Sequence, residues 1–180
     1  MHKTLSLALL ALTLTAGTAA AVDIGIGAFG GLNVPIVNDL SEQGSVFGLR
    51  VPVRVAPLLI VEPFYSSSAL GDVEETFGTS NTYTRDGGDE TAFGANALFA
   101  FGQPSFYFFP FAGIGSYKIE RDASDEISDV GYSFGFGIGF SPIPKLGLNL
   151  RGEFDMIMTG DTSQKFGKVT AGASYSLFSL

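Results

Sequence analysis

From Asp23 onward, large apolar residues alternate with glycine, serine, asparagine or charge, the period-two signature of strands whose two faces meet different surroundings. The pattern recurs eight times. The first stretch sets Ile24, Ile26, Ala28, Leu32 and Val34 against Gly25, Gly27, Phe29, Gly31 and Asn33. The second sets Phe47, Leu49, Val51, Val53 and Val55 against Gly48, Arg50, Pro52 and Arg54. The third, with Leu59, Val61 and Tyr65 opposite Ile60, Glu62 and Phe64, follows Ala56-Pro57 closely enough to predict a tight hairpin. A fourth alternates Phe93, Ala95, Ala97, Phe99 and Phe101 with Gly94, Asn96, Leu98 and Ala100. The fifth, Phe106 to about Ile119, is apolar on both faces in its first half, which leaves its register open. In the sixth, Tyr132, Phe134, Phe136, Ile138 and Phe140 interleave with Ser133, Gly135, Gly137 and Gly139. The seventh carries Leu146, Leu148, Leu150, Phe154 and Met156 away from Asn149, Arg151, Glu153 and Asp155, and the eighth carries Val169, Ala171, Ala173, Tyr175 and Leu177.

Connections alternate as regularly. Segments near 37–45, 66–91, 120–130 and 158–167 are long and polar, whereas those near 56–58, 102–105 and 141–145 are short. Long connections therefore share one end of an up-and-down meander, and an even strand count returns both termini to the other. Ahead of the strands, Met1-His2-Lys3, an apolar run from Leu5 to Ala16 and small residues to Ala21 read as a secretory signal peptide over residues 1–21, leaving one domain over 22–180.

Mean hydropathy is +0.31, yet beyond the leader no apolar run approaches the ~18 residues of a helical span. Twenty-four glycines argue against helices as well, since an interior Gly costs a helix about 1 kcal/mol. Inside hydrocarbon every backbone N–H and C=O needs an internal partner, so a sheet spans a membrane only when it closes on itself. Strands of roughly 9 to 11 tilted residues cross a bilayer, close to the length of the alternating stretches here. A water-soluble lipocalin-like ligand-binding barrel would turn its apolar face inward beneath a Lys-, Glu- and Thr-rich exterior. No such exterior is written in this chain. Its smaller face suits a cramped lumen, and its Phe-, Leu-, Val- and Ile-rich face exceeds what eight strands can enclose. The fold expected is all-β, an eight-stranded antiparallel transmembrane β-barrel. Against it stand Pro52, Pro63 and Pro110, each removing a ladder hydrogen bond from a wall with no free edge, which predicts bulges or strand ends beside them.

Phe109-Pro-Phe-Ala-Gly-Ile-Gly-Ser-Tyr117 and the terminal Gly172-Ala-Ser-Tyr-Ser-Leu177, with the leader, resemble the small outer-membrane β-barrel superfamily, whose members include domains like those of outer membrane proteins A and X. The resemblance spans nearly all of the mature chain. It implies residence in the outer membrane, lipid as a constant partner and passage through the barrel-assembly machinery. The family's usual aromatic end within an alternating strand is departed from here, where Leu177 is followed by Phe178-Ser-Leu180.

The chemistry absent is as informative. Cysteine is lacking, which excludes disulfides and a lipid-modified thiol, and the lone His2 sits in the leader. The mature chain thus lacks the side chains most used as general base, thiol nucleophile or transition-metal ligand. The enzymes of outer-membrane barrels, acylases, phospholipases and proteases among them, resemble one another in using an active-site histidine. No enzyme, catalytic residue, cofactor or metal site is expected. Eighteen acidic against ten basic residues, a net charge of −8, disfavour a nucleic-acid partner.

Arg50, Arg54 and Glu62 from one hairpin, and Arg151, Glu153 and Asp155 from the seventh strand, should face one interior. They are expected to form a structural ion-pair network in a lumen that side chains fill, the alternative being the constriction of a narrow porin-like channel. Acidic loop residues Asp72, Glu74, Glu75, Asp86, Asp89 and Glu90, and Glu120, Asp122, Asp125, Glu126 and Asp129, are read as solvated rather than as Ca²⁺ ligands, because no twelve-residue calcium-loop pattern occurs. Tyr65, Tyr83, Tyr117 and Tyr132 are candidates for an aromatic girdle near the loop end. The function expected is structural or surface-presenting, from a monomer displaying four extracellular loops.

Overall fold

The computed structural model describes residues 23–36, 42–77, 81–85, 87–103, 105–120, 126–159 and 162–179; the leader predicted over 1–21 lies outside them. Twelve strands follow in order: β1 (Asp23–Pro35), β2 (Glu42–Arg50), β3 (Val53–Arg54), β4 (Leu59–Gly71), β5 (Val73–Phe77), β6 (Asn81–Arg85), β7 (Asp89–Phe99), β8 (Phe101–Gln103), β9 (Phe106–Glu120), β10 (Glu126–Ile143), β11 (Leu146–Thr159) and β12 (Thr162–Ser179). Two pairs, β2 with β3 and β7 with β8, are single staves briefly interrupted. The wall therefore has eight staves, each antiparallel to the next, and β1 pairs with β12 to close the ring.

Orientation follows the pleat. Phe47, Leu49, Phe93, Ile114, Phe134, Phe136, Ile138, Leu150 and Val169 point outward and are exposed, which excludes the lipocalin-like alternative. Outward charges gather near the loop end, at Glu42, Asp89, Lys118, Glu120 and Lys165, with Lys118 and Glu120 in contact as an ion pair. Between them and the short turns the outer wall is an uncharged band. Phe101, Phe106, Phe140, Tyr175 and Phe178 ring its short-turn margin.

Each proline falls where the ladder lapses. Pro52 lies in the break between β2 and β3, beside the point where the β1–β12 register shifts past Leu177, and its carbonyl accepts from Gly25 N at 2.9 Å. Pro63 faces the same break, its carbonyl accepting from Val51 N at 2.9 Å while its nitrogen has no proton to return. Pro110 lies opposite the gap between Phe99 and Phe101.

The staves are longer at the loop end than the alternation predicts. β4 continues to Gly71 and β7 begins at Asp89, so the connection read as loop over 66–91 contains wall and the separate hairpin β5–β6. Likewise β12 begins at Thr162, seven residues before Val169. At the other end Pro144-Lys145 turns β10 into β11 with Lys145 at φ 75°, the position that demands a left-handed residue in a type II turn.

Most aromatic rings that enter the lumen do so where a neighbouring stave offers glycine, Phe166 between Pro35 and Asp155 being an exception. Phe109 stands opposite Gly137, Phe111 opposite Gly135, Tyr107 opposite Gly139 and Phe29 opposite Gly48. A Cβ placed on Gly137 would collide with Phe109 Cζ, and one on Gly48 would lie 2.5 Å from Phe29 Cζ. Tyr117 also lies inside, its ring over Gly131 and 1 % exposed, which corrects its place in the expected girdle. The cause is the fifth strand's two apolar faces, between which the glycines of β10 decide. Tyr65 and Tyr132 do face outward, and the side chain of Tyr83 lies outside the described residues.

Two outcomes follow. Gly137→Val should lower the urea midpoint of the folded, heat-modifiable gel band by an amount equivalent to about 1–3 kcal/mol, the usual penalty of overpacking. Gly152→Ala, on the outer wall with its nearest neighbour 4.0 Å from the added Cβ, should leave it unchanged or higher. Independently, Phe136→Arg at mid-wall should destabilise the barrel in lipid by about 2–4 kcal/mol, and a neutral effect would reverse the assigned faces.

Candidate functional site

Inward positions along the staves stack into three layers. Toward the short turns, Ile60, Leu98, Ala100, Phe109 and Phe111 form an apolar floor. Toward the loops, Leu70, Ala92, Tyr117, Ile119, Ile157 and Phe166 form an apolar roof. A polar belt has one centre between them and a second set into the roof, where Glu90 stands opposite Ile119 and Asp155 opposite Phe166.

The first centre joins β2, β4 and β11. Arg151 donates from both terminal nitrogens to Glu62, Nη1 to Oε1 at 2.6 Å and Nη2 to Oε2 at 2.9 Å, a bidentate fork. Arg50 Nη1 stands 3.9 Å from the same carboxylate and donates to Asn149 Oδ1 at 3.3 Å. Guanidinium faces are used too: Arg151 lies over Phe109 and Phe111 at 5.0 and 5.6 Å, and Arg50 over Phe29 at 4.1 Å. All three charged side chains are at most 5 % exposed.

The second centre lies nearer the roof. Lys168 Nζ sits 2.7 Å from Glu90 Oε1 and 2.6 Å from Asp155 Oδ2, with its ammonium 5.7 Å from the Tyr117 ring centroid. Asn33 Nδ2 donates to Glu90 Oε2 at 3.3 Å, and between the centres Ser133 Oγ donates to Asn96 Oδ1 at 2.8 Å. The void left in the belt, bounded by Arg50, Glu62, Arg151, Glu153 and Lys168, is about 10 Å³, room for one water molecule.

Of the six residues expected in one network, Arg50, Glu62 and Arg151 come together, and Glu153 borders their void. Asp155 belongs to the second centre. Arg54 stands apart: although in phase with Arg50, it sits at the mouth of the barrel and donates to Pro57 O at 2.9 Å. Two members of the belt fall outside that expectation. Glu90 is fully buried on β7 rather than in an acidic loop, and Lys168 is an inward residue of β12. Counting back in twos from Asn96 and from Thr170 finds both. Among the described residues no three histidine, cysteine or carboxylate side chains stand close enough to hold a metal ion. Of the acidic loop residues, Asp86, Asp122 and Asp125 lie outside the described residues.

The belt is a closed circuit of paired charge. What the arrangement does is fill the interior and tie β2, β4, β7, β11 and β12 across it.

A family model described as "Outer membrane protein beta-barrel domain" matches residues 4–176. Among solved structures, Neisserial surface protein A is similar at a TM-score of 0.59 and 15% identity, over 87% of this chain and 97% of that one. A major outer membrane protein of Thermus thermophilus has a TM-score of 0.59 at 11% identity, over 87% and 99%. The N-terminal β-barrel domain of Pseudomonas aeruginosa OprF has a TM-score of 0.53 at 13% identity, over 85% and 97%. At such identities the likeness is one of fold. No curated protein matches the chain by sequence.

Removing the shared carboxylate should expose the belt's role. Glu62→Ala leaves two buried guanidinium groups without their partner and should destabilise the barrel by about 3–5 kcal/mol in denaturant titrations. Glu62→Leu combined with Arg151→Met and Arg50→Met, which removes both guanidinium groups with the carboxylate, should recover most of that loss. A silent Glu62→Ala would mean that the fork contributes nothing.

Proposed function

This chain belongs to the outer membrane protein beta-barrel domain family, and from that premise we propose that it is a non-enzymatic, internally plugged barrel that presents polar loops at the cell surface. Short turns face the periplasm and longer loops the exterior in barrels of this kind, which puts the β5–β6 hairpin outside the cell. The observation that carries the reading is the apolar–charged–apolar stack, with about 10 Å³ of void in its middle layer. So filled an interior supports a closed barrel over the narrow porin-like alternative. Catalysis finds no support either, since the ionisable groups of the lumen are engaged with one another and the chain's only histidine is His2.

Outer-membrane lipid is the constant partner in this reading, met by the uncharged band of Phe, Leu, Ile and Val. Barrel-assembly machinery acts during insertion, and the closed ring needs no second copy to satisfy its edges, so the protein works as a monomer.

Purified barrel reconstituted in planar bilayers should give no discrete conductance steps, whereas steady unitary currents would establish the channel instead. A peptide tag inserted between Phe77 and Asn81 should be reached by antibody on intact cells. Labelling only after permeabilisation would refute surface presentation.

A further inference from the structure

Below the apolar floor the barrel opens at its short-turn end into two adjoining recesses of about 730 and 410 Å³, the size of small-molecule sites. Both are lined by Asp23, Arg54, Ser141, Pro144 and Lys145. Each shared cation is held by its backbone or by a carbonyl rather than by an acid. Arg54 donates to Pro57 O at 2.9 Å, and Lys145 occupies its left-handed turn position with its carbonyl accepting from Ser176 N at 2.8 Å. Among the described residues neither forms an ion pair, and Asp23, the acid beside them, accepts from the Ser176 hydroxyl.

This departs from the rest of the molecule. Acidic residues outnumber basic ones 18 to 10, and the cations of the belt, Arg50, Arg151 and Lys168, are all matched with carboxylates. Two cations against the single carboxylate of Asp23, itself turned to Ser176, leave this mouth with an excess of positive charge in an acidic protein. Around it the recess supplies an apolar wall from Leu58, Pro144 and Tyr107 and polar groups from Gln103 and Ser105. The floor of Ile60, Leu98, Phe109 and Phe111 closes it above, so anything bound enters and leaves by the same end.

We infer that this cup is a binding site for an organic anion, its phosphate or carboxylate oxygens held by Arg54 and Lys145 and its apolar body laid against Tyr107 and Leu58. A guanidinium fork and an ammonium converging on one oxyanion is the usual protein solution for such groups. The same oxyanion can come from a soluble molecule on the short-turn side or from an anionic lipid headgroup folded in from the adjacent leaflet. The assignment of that side to the periplasm rests on the reading proposed above; the site itself does not.

The test uses the whole barrel in nanodiscs of phosphatidylcholine, titrated with phenyl phosphate and followed by backbone amide resonances. Shifts should concentrate at Arg54, Ser105, Ser141 and Lys145, and the double variant Arg54→Gln with Lys145→Gln should weaken binding tenfold or more. Lys165→Gln, on the outer wall, should leave it unchanged. In a second arm, nanodiscs containing phosphatidylglycerol that shift the same resonances without added probe would support the site and identify the headgroup as its source. Absence of shifts at the cup in both arms, or equal weakening by Lys165→Gln, would overturn the proposal. Conductance and surface tagging are unaffected by either result, so its failure is separable from failure of the plugged-barrel reading.

Discussion

In hydrocarbon, an unpaired backbone N–H or C=O costs several kcal/mol, and a wall of strands avoids that cost only by having no edge. The β1–β12 seam meets this demand: thirteen residue pairs, from Asp23↔Ser179 to Pro35↔Phe166, run along it with one bulge. Pro52, Pro63 and Pro110 show how far the constraint bends. Each removes a donor, and each sits in or opposite a break in a neighbouring ladder.

Closure with eight staves fixes a narrow bore, and the bore dictates what the inward positions can be. Large rings fit most readily over glycine, as in the alignment of Tyr107, Phe109 and Phe111 with Gly139, Gly137 and Gly135. Those glycines are therefore half of a packing unit whose other half sits one stave away. Charges fit only when paired, since an ion in such surroundings has little water to turn to. Glu62 and Lys168 each serve two partners of opposite sign, which lets few side chains satisfy the whole belt.

The eight staves and the face each turns to lipid are legible because a lipid-facing wall enforces period two over its full height. What lies beyond the lipid is harder to read. Above the band the outward face is polar as well, so Asp89-Glu90-Thr91 and Thr162 to Lys168 lose the contrast between their faces and pass for loops. Glu90 and Lys168 are hidden with them, and the expected single network is in fact two centres. Arg54 misleads for the converse reason: parity gives the face a residue points to, not its depth, and Arg54, paired with Ile60 of the floor, lines the open mouth. Tyr117 escapes because its strand is apolar on both faces; the glycine rhythm of β10 holds the missing information, and it becomes usable only once the two strands are known to pair.

A buried charge belt is not needed merely to fill the bore, since apolar side chains could do that. Its value lies in making the two faces of each stave unlike. Were both faces apolar, a slip of one residue in register would exchange lumen and lipid positions at little expense. With Arg50, Arg151 and Lys168 on the inner face, the same slip carries a cation into the bilayer, at about 2–4 kcal/mol for each one reaching the midplane. It also separates each cation from its carboxylate on a different stave. β2, β4, β7, β11 and β12 all contribute to the belt, so an error in any one of these staves is penalised by its neighbours. The charges that fill the interior are thus the same ones that tell the chain which side of its wall is the inside.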